Sequence, residues 1–407
     1  MKIPTKIFHY LTIILIIAYP ILPTFGVVRG DYIIYLLILL QFIQFVISKE
    51  ERKYIFSIFK DIKNNKLFLI LLLLNITMYL SFFVATDKRI AISHSIRFSM
   101  YVFVFYLIAY RSKSIKFTNY ITYSFISVSV LSAIVSIIQF FQLDESNTIL
   151  GGNNRIASFL ENSNNLGAFS ILSIFIVVML YLNSKNKKMK LFYILTIILL
   201  GTSIILSQSR NALLALIVGS FIIAILYDKR FLIASIILPV ILLIIPASRI
   251  RIFQIFDLSQ NSSRFKIWNA SFDMISDNPI FGVGYNNFST TYGKYVAANP
   301  DNLFISTDYL PEHPHNIFLK IQSELGIVGT IIFILFILIA ITTLYKGITS
   351  SKITLIKNIL IGSLVSFLAF QSMNLIDCYY GAPKVIFSMF VILGISISYI
   401  QLNKSCK

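Results

Sequence analysis

Charge is scarce in this chain, and so are the residues that usually punctuate a soluble fold. Only 13% of its 407 residues are Asp, Glu, Lys or Arg, against about a quarter in ordinary soluble domains. Glycine and proline number 16 and 10; no low-complexity linker and no clear inverted repeat stands out. Two cysteines, Cys378 and Cys406, are too few for a disulfide scaffold. What fills the composition instead is 57% hydrophobic residues, with a mean hydropathy of +0.80.

These residues are not spread evenly. Apolar runs of about 17 to 22 residues, each enough to cross a bilayer core, recur at 9–27, 32–48, 67–85, 90–110, 119–141, 166–183, 191–206, 211–227, 231–246, 327–345, 359–376 and 385–402. They predict an all-α integral membrane protein with about twelve transmembrane helices.

A net charge of +18 would suit a nucleic-acid binder, so its distribution matters more than its sign. With the N-terminus inside and alternating crossings, the cytoplasmic segments hold 22 Lys or Arg and 4 Asp or Glu. The rest of the chain carries 13 of each, so the whole excess lies on one face, as the positive-inside rule requires. No nucleic-acid partner is needed to explain it. A basic start before the first span imitates a signal peptide, but eleven further spans favour a retained anchor. Both termini are expected in the cytoplasm. On this topology Cys378 lies outside and Cys406 inside, so neither a disulfide nor a cysteine metal site is expected.

Two outer segments, 142–165 and 247–325, far exceed the usual connection between elements. The second has the lone Trp268 and helical periodicity over 264–275, and reads as a small, partly helical outer lid. The expected division is therefore transmembrane helices 1 to 9 over 1–246, an outer loop domain over 247–325, and helices 10 to 12 over 326–407. Within the lid, Asn278-Pro279-Ile280-Phe281-Gly282-Val283-Gly284 ends a helix at proline and turns through two glycines. Gly-x-Gly also occurs in phosphate cradles, but alone it is a weak signal.

Where the lid returns to the membrane stands His313-Pro314-His315-Asn316, followed by Gly326 and Gly329. An ionisable side chain at a membrane surface is a functional candidate. On an ideal helix, positions 315, 326 and 329 fall within about 60° of one another, which would set His315 above two glycines that admit a neighbouring helix. A capping or interface histidine is the plainer reading. His313 and His315 with Glu312 also form a loose metal-ligand spacing, with no cysteine or third histidine outside the membrane within reach in sequence to complete it apart from His94 in the fourth span. No metal is expected.

Arg210 sits in the outer hinge Ser207-Gln208-Ser209-Arg210-Asn211. A guanidinium there either snorkels to the interface or meets an anion or polar network. Arg249, Arg251, Arg264 and Lys266 add positive charge at the base of the lid, and Arg155 adds one from the other long segment. Such patches suit phosphate, which the guanidinium fork pairs bidentately, although a solvated loop face explains Lys266 and Arg249 equally well. Arg97 and His94, one turn apart in the fourth span, line a polar interior or are held by carbonyls. Asp377, after span eleven, either orients His315, pairs with an arginine or is a helix-end charge.

The pattern His315-Asn316, nine residues, Gly326, two residues, Gly329 resembles the signature of the O-antigen ligase and Wzy-type polysaccharide polymerase superfamily, polytopic glycosyltransferases of the GT-C type. Ser207-Gln208-Ser209-Arg210 followed by Ala212-Leu213-Leu214-Ala215 is similar to its hinge motif. Arg264 to Trp268, leading into Asn278-Pro279 and Gly282-Val283-Gly284, resembles the start of its outer loop. Arg155 with Glu161-Asn162-Ser163-Asn164 resembles the turn before its sixth span. The order of spans agrees along nearly the whole chain, while the specific motifs cover 155–329.

The resemblance implies transfer of a glycan, at the outer membrane face, from a polyprenyl-pyrophosphate-linked donor to an acceptor hydroxyl in surface polysaccharide assembly, with neither metal nor other cofactor. By the same resemblance His315 corresponds to the catalytic histidine and Arg210 and Arg264 to the pyrophosphate-holding arginines. Asn316, Asp377, Arg155, Gly326 and Gly329 are supporting positions. Membrane lipids and a glycan or lipid acceptor are the implied partners. The chemistry agrees: pyrophosphate is already a good leaving group, so displacement at the anomeric carbon needs a base and charge neutralisation. An imidazole of ordinary pKa near 6.5 suits the base, and fixed arginines suit the departing charge. No Asp-x-Asp occurs, consistent with metal independence. Polymerase and ligase differ only in the acceptor, with a slight lean towards polymerase. A transporter or flippase of lipid-linked oligosaccharide is the competing class, but polar residues cluster on the outer side rather than at mid-membrane.

Overall fold

The structure, a computed structural model, describes residues 5–22, 31–49, 52–53, 65–111, 114–142, 155–254, 258–303 and 311–405. Cys406 and most of the basic segment between the second and third predicted spans lie outside the described residues. All the regular structure among those residues is helical. A chain this apolar has little alternative, because a helix is the element that satisfies its own backbone polar groups without water.

The helices described before the lid are α1 (Thr5–Ile21), α2 (Tyr32–Ile47), α3 (Lys66–Leu80), α4 (Lys88–Arg111), α5 (Ile115–Phe141), α6 (Ser163–Asn183), α7 (Lys187–Ser207), α8 (Arg210–Leu226) and α9 (Phe231–Ile244). Then come α10 (Pro246–Phe253), α11 (Leu258–Asp277) and α12 (Phe288–Ala298), and finally α13 (Ile317–Ser350), α14 (Thr354–Met373) and α15 (Pro383–Ser405). Eight helical segments, in α3 to α7 and α13 to α15, are long and apolar enough to cross a membrane. Those in α1, α2, α8 and α9 are apolar but shorter. All twelve coincide with runs read from hydropathy; eight reach spanning length.

Polar caps mark several helix starts. Asn65, Asn162, Asn186 and Asn316 each accept backbone N–H bonds from the first turn that follows, satisfying donors that would otherwise be orphaned. The most enclosed helices are α6, α14 and α15, whereas α7 and α13 present most of their surface outward. Outward side chains such as Leu195, Ile198, Ile331 and Leu338 are exposed, as a lipid-facing surface requires. Between buried helices, hydroxyl pairs bridge α5 to α6 (Ser129 to Ser173, 2.7 Å), α6 to α7 (Ser170 to Ser203, 3.3 Å) and α5 to α15 (Thr118 to Ser398, 2.7 Å). Such small polar residues let helices approach and supply hydrogen bonds where no water does.

Arg97 on α4 pairs with Asp31 at 2.8 Å, and Asp31 also accepts from Tyr19 at 3.2 Å. Among the described residues the arginine's partner is thus a carboxylate.

The segment between α9 and α13 has its own apolar cluster, in which Ile267, Ala270 and Met274 of α11 pack on Phe288, Tyr292 and Tyr295 of α12. Its Pro279 to Gly284 turn docks on α13 through main-chain bonds: Val283 N–H to Ser323 C=O, Gly284 N–H to Glu324 C=O, and Ile327 N–H to Pro279 C=O, all 2.9 Å.

This docking corrects the expected glycine geometry. Gly326 has φ 62° and ψ −165° and interrupts α13. A Cβ there would lie 2.2 Å from the Ile280 carbonyl group, so Gly326 admits the backbone of the lid. A Cβ on Gly329 would meet Leu325 of its own helix at 2.2 Å. His315 precedes the helix, so the ideal-helix alignment of 315, 326 and 329 does not hold; a left-handed break and a loop take the place of a neighbouring helix.

Candidate functional site

His315 owes its position to the start of α13. Asn316 caps the helix, its Oδ1 accepting from Phe318 N–H and Leu319 N–H at 2.9 and 3.1 Å. Its Nδ2 donates to Leu375 C=O at 3.0 Å, while Ile317 N–H donates to Asn374 C=O at 2.9 Å. The helix start is thereby fastened to the turn between α14 and α15. That turn carries Asp377, whose Oδ1 lies 3.1 Å from His315 Nδ1 and accepts Cys378 N–H at 2.9 Å.

His315 itself holds φ 50°, an unusual state for a non-glycine residue. Its N–H donates to His313 Nδ1 at 3.3 Å, and the two rings meet edge to face at 4.6 Å. Residues in such conformations concentrate where the surroundings over-determine them, often at functional sites. Trp268 of α11 donates to Pro314 C=O at 2.7 Å, tying the lid to this turn.

Burial works against ionisation of Asp377. The His315 hydrogen bond, the charges of both histidines and the Cys378 N–H outweigh it and hold the carboxyl at about 2. An ionised Asp377 makes His315 Nδ1 the donor, leaving Nε2 as the acceptor. Burial pushes His313 down to about 3; the neighbouring His315 and Lys320 charges reinforce this against Asp377. His313 is therefore neutral near pH 7.

His315, His313 and Asp377 open on a cavity of about 720 Å³. Asn162, Asn164 and Asn165 line it from the start of α6; Asn286 and Ser289 line it from the lid, and Lys320 from α13. A buried network supports that last group. Lys320 Nζ donates to Glu324 Oε1 at 2.6 Å and to Asn286 Oδ1 at 3.1 Å. Glu324 Oε2 accepts Asn286 N–H at 2.8 Å, and Asn286 Nδ2 meets His94 Nε2 at 3.1 Å. Sequence reasoning did not single out Lys320, Glu324 and Asn286, though two opposite charges four apart beside an apolar run were a readable sign.

Beside this cavity three arginines converge on the hinge between α7 and α8. Gln208, the C-cap of α7, has φ 50°, and its Oε1 accepts from Arg251 Nε and Nη2 at 3.2 and 3.1 Å. Arg155 donates to Ser207 C=O at 3.2 Å and to Asn164 Oδ1 at 2.5 Å. Arg210 and Arg251 share Gln254, donating 2.9 Å bonds to its C=O and Oε1. Burial, joined by the charges of Arg251 and Arg210 and opposed by Tyr379 and Asp377, lowers Arg155 to about 10. Positive charge is therefore concentrated beside the histidine–carboxylate pair. Arg210 and Arg155 are part of the cluster, and Arg251, one of the basic residues expected to make a phosphate-suited patch at the base of the lid, joins them. Arg264 lies one turn before Trp268 on α11, and no hydrogen bond joins it to the cluster among the described residues.

His313, His315 and Asp377 could hold a metal ion by type: one ligand atom from each lies within 4.8 Å of the others. Asp377 thus occupies the place that spacing suggested for Glu312, which is exposed at the cavity rim.

An all-helical, multi-pass membrane protein with a histidine–carboxylate pair at a polar cavity is the class so defined. Residues 194–334, about a third of the chain, match the family model described as O-antigen ligase, which bears out the resemblance read from the motifs. A Rickettsia felis protein named "Putative polysaccharide ligase" is 28% identical over 187 residues, and a Rickettsia typhi protein of like name 29% over 182. Each alignment covers 40% of this chain and 42% of the relative. Arg155 and Asp377 fall outside the matched region; Arg210, Arg251, Arg264 and His315 fall inside it.

Proposed function

We propose that this protein is a membrane glycosyltransferase of surface polysaccharide assembly. It moves a glycan from a polyprenyl-pyrophosphate carrier to an acceptor hydroxyl, as polymerase or ligase. The observation that carries this reading is His315, with Nε2 free of Asp377 and turned to base chemistry, in a polar cavity beside three clustered arginines. The family match and the ligase names of the relatives support the same class.

In the proposed reaction, His315 Nε2 takes the proton of the acceptor hydroxyl as its oxygen attacks the anomeric carbon. The bond from that carbon to the pyrophosphate oxygen breaks, and the electron pair leaves with polyprenyl pyrophosphate. Asp377 stabilises the imidazolium, while Arg155, Arg210 and Arg251 neutralise the departing charge. Arg264 would reach the pyrophosphate from the lid. A single displacement inverts the sugar carbon and calls for no metal. Twelve crossings, the four shorter apolar helices included, with both termini cytoplasmic, put this chemistry and the 247–325 lid on the outer face, as the one-sided basic charge supports.

The test is purified protein in detergent with EDTA, given a polyprenyl-pyrophosphate oligosaccharide, comparing wild type with His315→Ala by gel and mass spectrometry. Longer lipid-linked glycans from wild type, reduced about 10²- to 10⁴-fold in the variant, are expected of a polymerase. Product only after addition of a second acceptor identifies a ligase, and undiminished product from His315→Ala overturns the base assignment.

A further inference from the structure

The cavity and the arginine cluster differ in chemistry. Among the described residues that line the cavity there is no arginine; four are asparagines, and the one lysine is neutralised by Glu324. Glu161, Glu312 and Asp377 add carboxylates that repel an anion. A pyrophosphate is thus disfavoured inside it, whereas a polyhydroxylated, uncharged ligand finds donors and acceptors throughout. The volume falls within the range of small-ligand sites, about 300–1,000 Å³.

This wall is also built to be rigid. Asn286 holds φ 57°, another strained non-glycine residue, and is fixed through backbone N–H, Oδ1 and Nδ2 by Glu324, Lys320 and His94. Glu324 is fully buried and also accepts Phe288 N–H at 3.4 Å, which sets the turn that presents Ser289. Lys320, only 4% exposed, spends two of its three N–H donors on Glu324 and Asn286 while still lining the cavity. Strain and a buried ion pair in support of one asparagine exceed what closing the lid requires, since Val283 and Gly284 already dock it through main-chain bonds.

We propose that this cavity is the acceptor site and that it takes a neutral saccharide, held by Asn286, Ser289, Lys320 and the 161–165 turn with one hydroxyl towards His315. The carrier pyrophosphate stays on the arginine side. This rests on the transferase reading and adds to it the chemical class and place of the acceptor. A saccharide acceptor gives up its hydroxyl proton to His315 and gains the glycan at that oxygen; water admitted in its place yields free oligosaccharide and the same polyprenyl pyrophosphate.

The test measures partition between transfer and hydrolysis with the lipid-linked oligosaccharide as substrate, in wild type, Ser289→Leu and the milder Glu161→Gln. Ser289→Leu fills the cavity from a partly exposed position in the first turn of α12, and Trp268 fluorescence on heating verifies its fold. The ratio of transferred to hydrolysed glycan should fall at least tenfold in Ser289→Leu and less in Glu161→Gln. Oligosaccharide freed from the carrier by mild acid should inhibit wild-type transfer far more than that of Ser289→Leu, while inorganic pyrophosphate should inhibit both alike. An unchanged ratio in folded Ser289→Leu, or equal loss of oligosaccharide and pyrophosphate inhibition, refutes the acceptor site and leaves the transferase reading standing. Wild type that releases no polyprenyl pyrophosphate under any condition overturns that reading and this proposal with it.

Discussion

Asp377→Asn separates charge from shape at the centre of the site. Asparagine has nearly the same volume, and its Oδ1 can still accept from His315 Nδ1 and Cys378 N–H, the two bonds Asp377 makes at 3.1 and 2.9 Å. What disappears is the negative charge. Displacement of the carboxyl from 3.8 to about 2 amounts to about 2 kcal/mol of net preference for the charged form. Several donors share that preference, so about 1–2 kcal/mol is assigned to the imidazolium, and kcat should fall about 5- to 30-fold. The sign for stability is equally definite: a depressed carboxyl stabilises the fold above its unfolded value and loses that contribution as pH falls through about 2. The variant should therefore be less stable than wild type at pH 7, with the gap closing between pH 4 and 2. The assay is transfer by purified protein across pH, with Trp268 fluorescence for unfolding. A kcat within about threefold of wild type would refute the role of the charge.

Arg251→Gln should raise the donor KM about 10- to 100-fold, the worth of a charge-assisted contact to phosphate of about 1.5–3 kcal/mol; equal donor KM in the two proteins removes Arg251 from the pyrophosphate side. His313, held at about 3 by burial, binds its proton far more readily in the unfolded chain. Stability should consequently fall as pH drops from about 6.5 towards 3, and His313→Asn, which retains an acceptor near Nδ1, should flatten that slope in thermal melts. A slope identical to wild type would show that His313 does not carry it.

Helical architecture was legible because one-dimensional information suffices for it. A run of apolar residues must bury its backbone bonds internally whatever its neighbours are, so each run appears as a helix, and the asparagines at 162 and 316 act locally as caps. His315 and Arg210 were legible as candidates for a similar reason: ionisable groups at the ends of apolar runs need a purpose. Helix length was less readable. Four helices stop short of spanning length where Pro20, Pro239 or a polar turn intervenes.

Distances between segments remote in sequence were not legible at all. Asp377 meets His315 across 62 residues because two main-chain and side-chain bonds fasten the start of α13 to the turn after α14. Arg155 reaches the hinge at Ser207 across 52 residues and Arg251 reaches it at Gln208 across 43 from the other direction, and Asn286 reaches His94 across 192 residues. The amino-acid sequence by itself determined the helices, their caps and which charged groups had to be accounted for, since these follow from the local cost of placing polar atoms in an apolar setting. Only the tertiary structure decided which of those groups share a cavity, and why Gly326 must be glycine. Both depend on a lid backbone and a left-handed break that no periodicity in one dimension encodes.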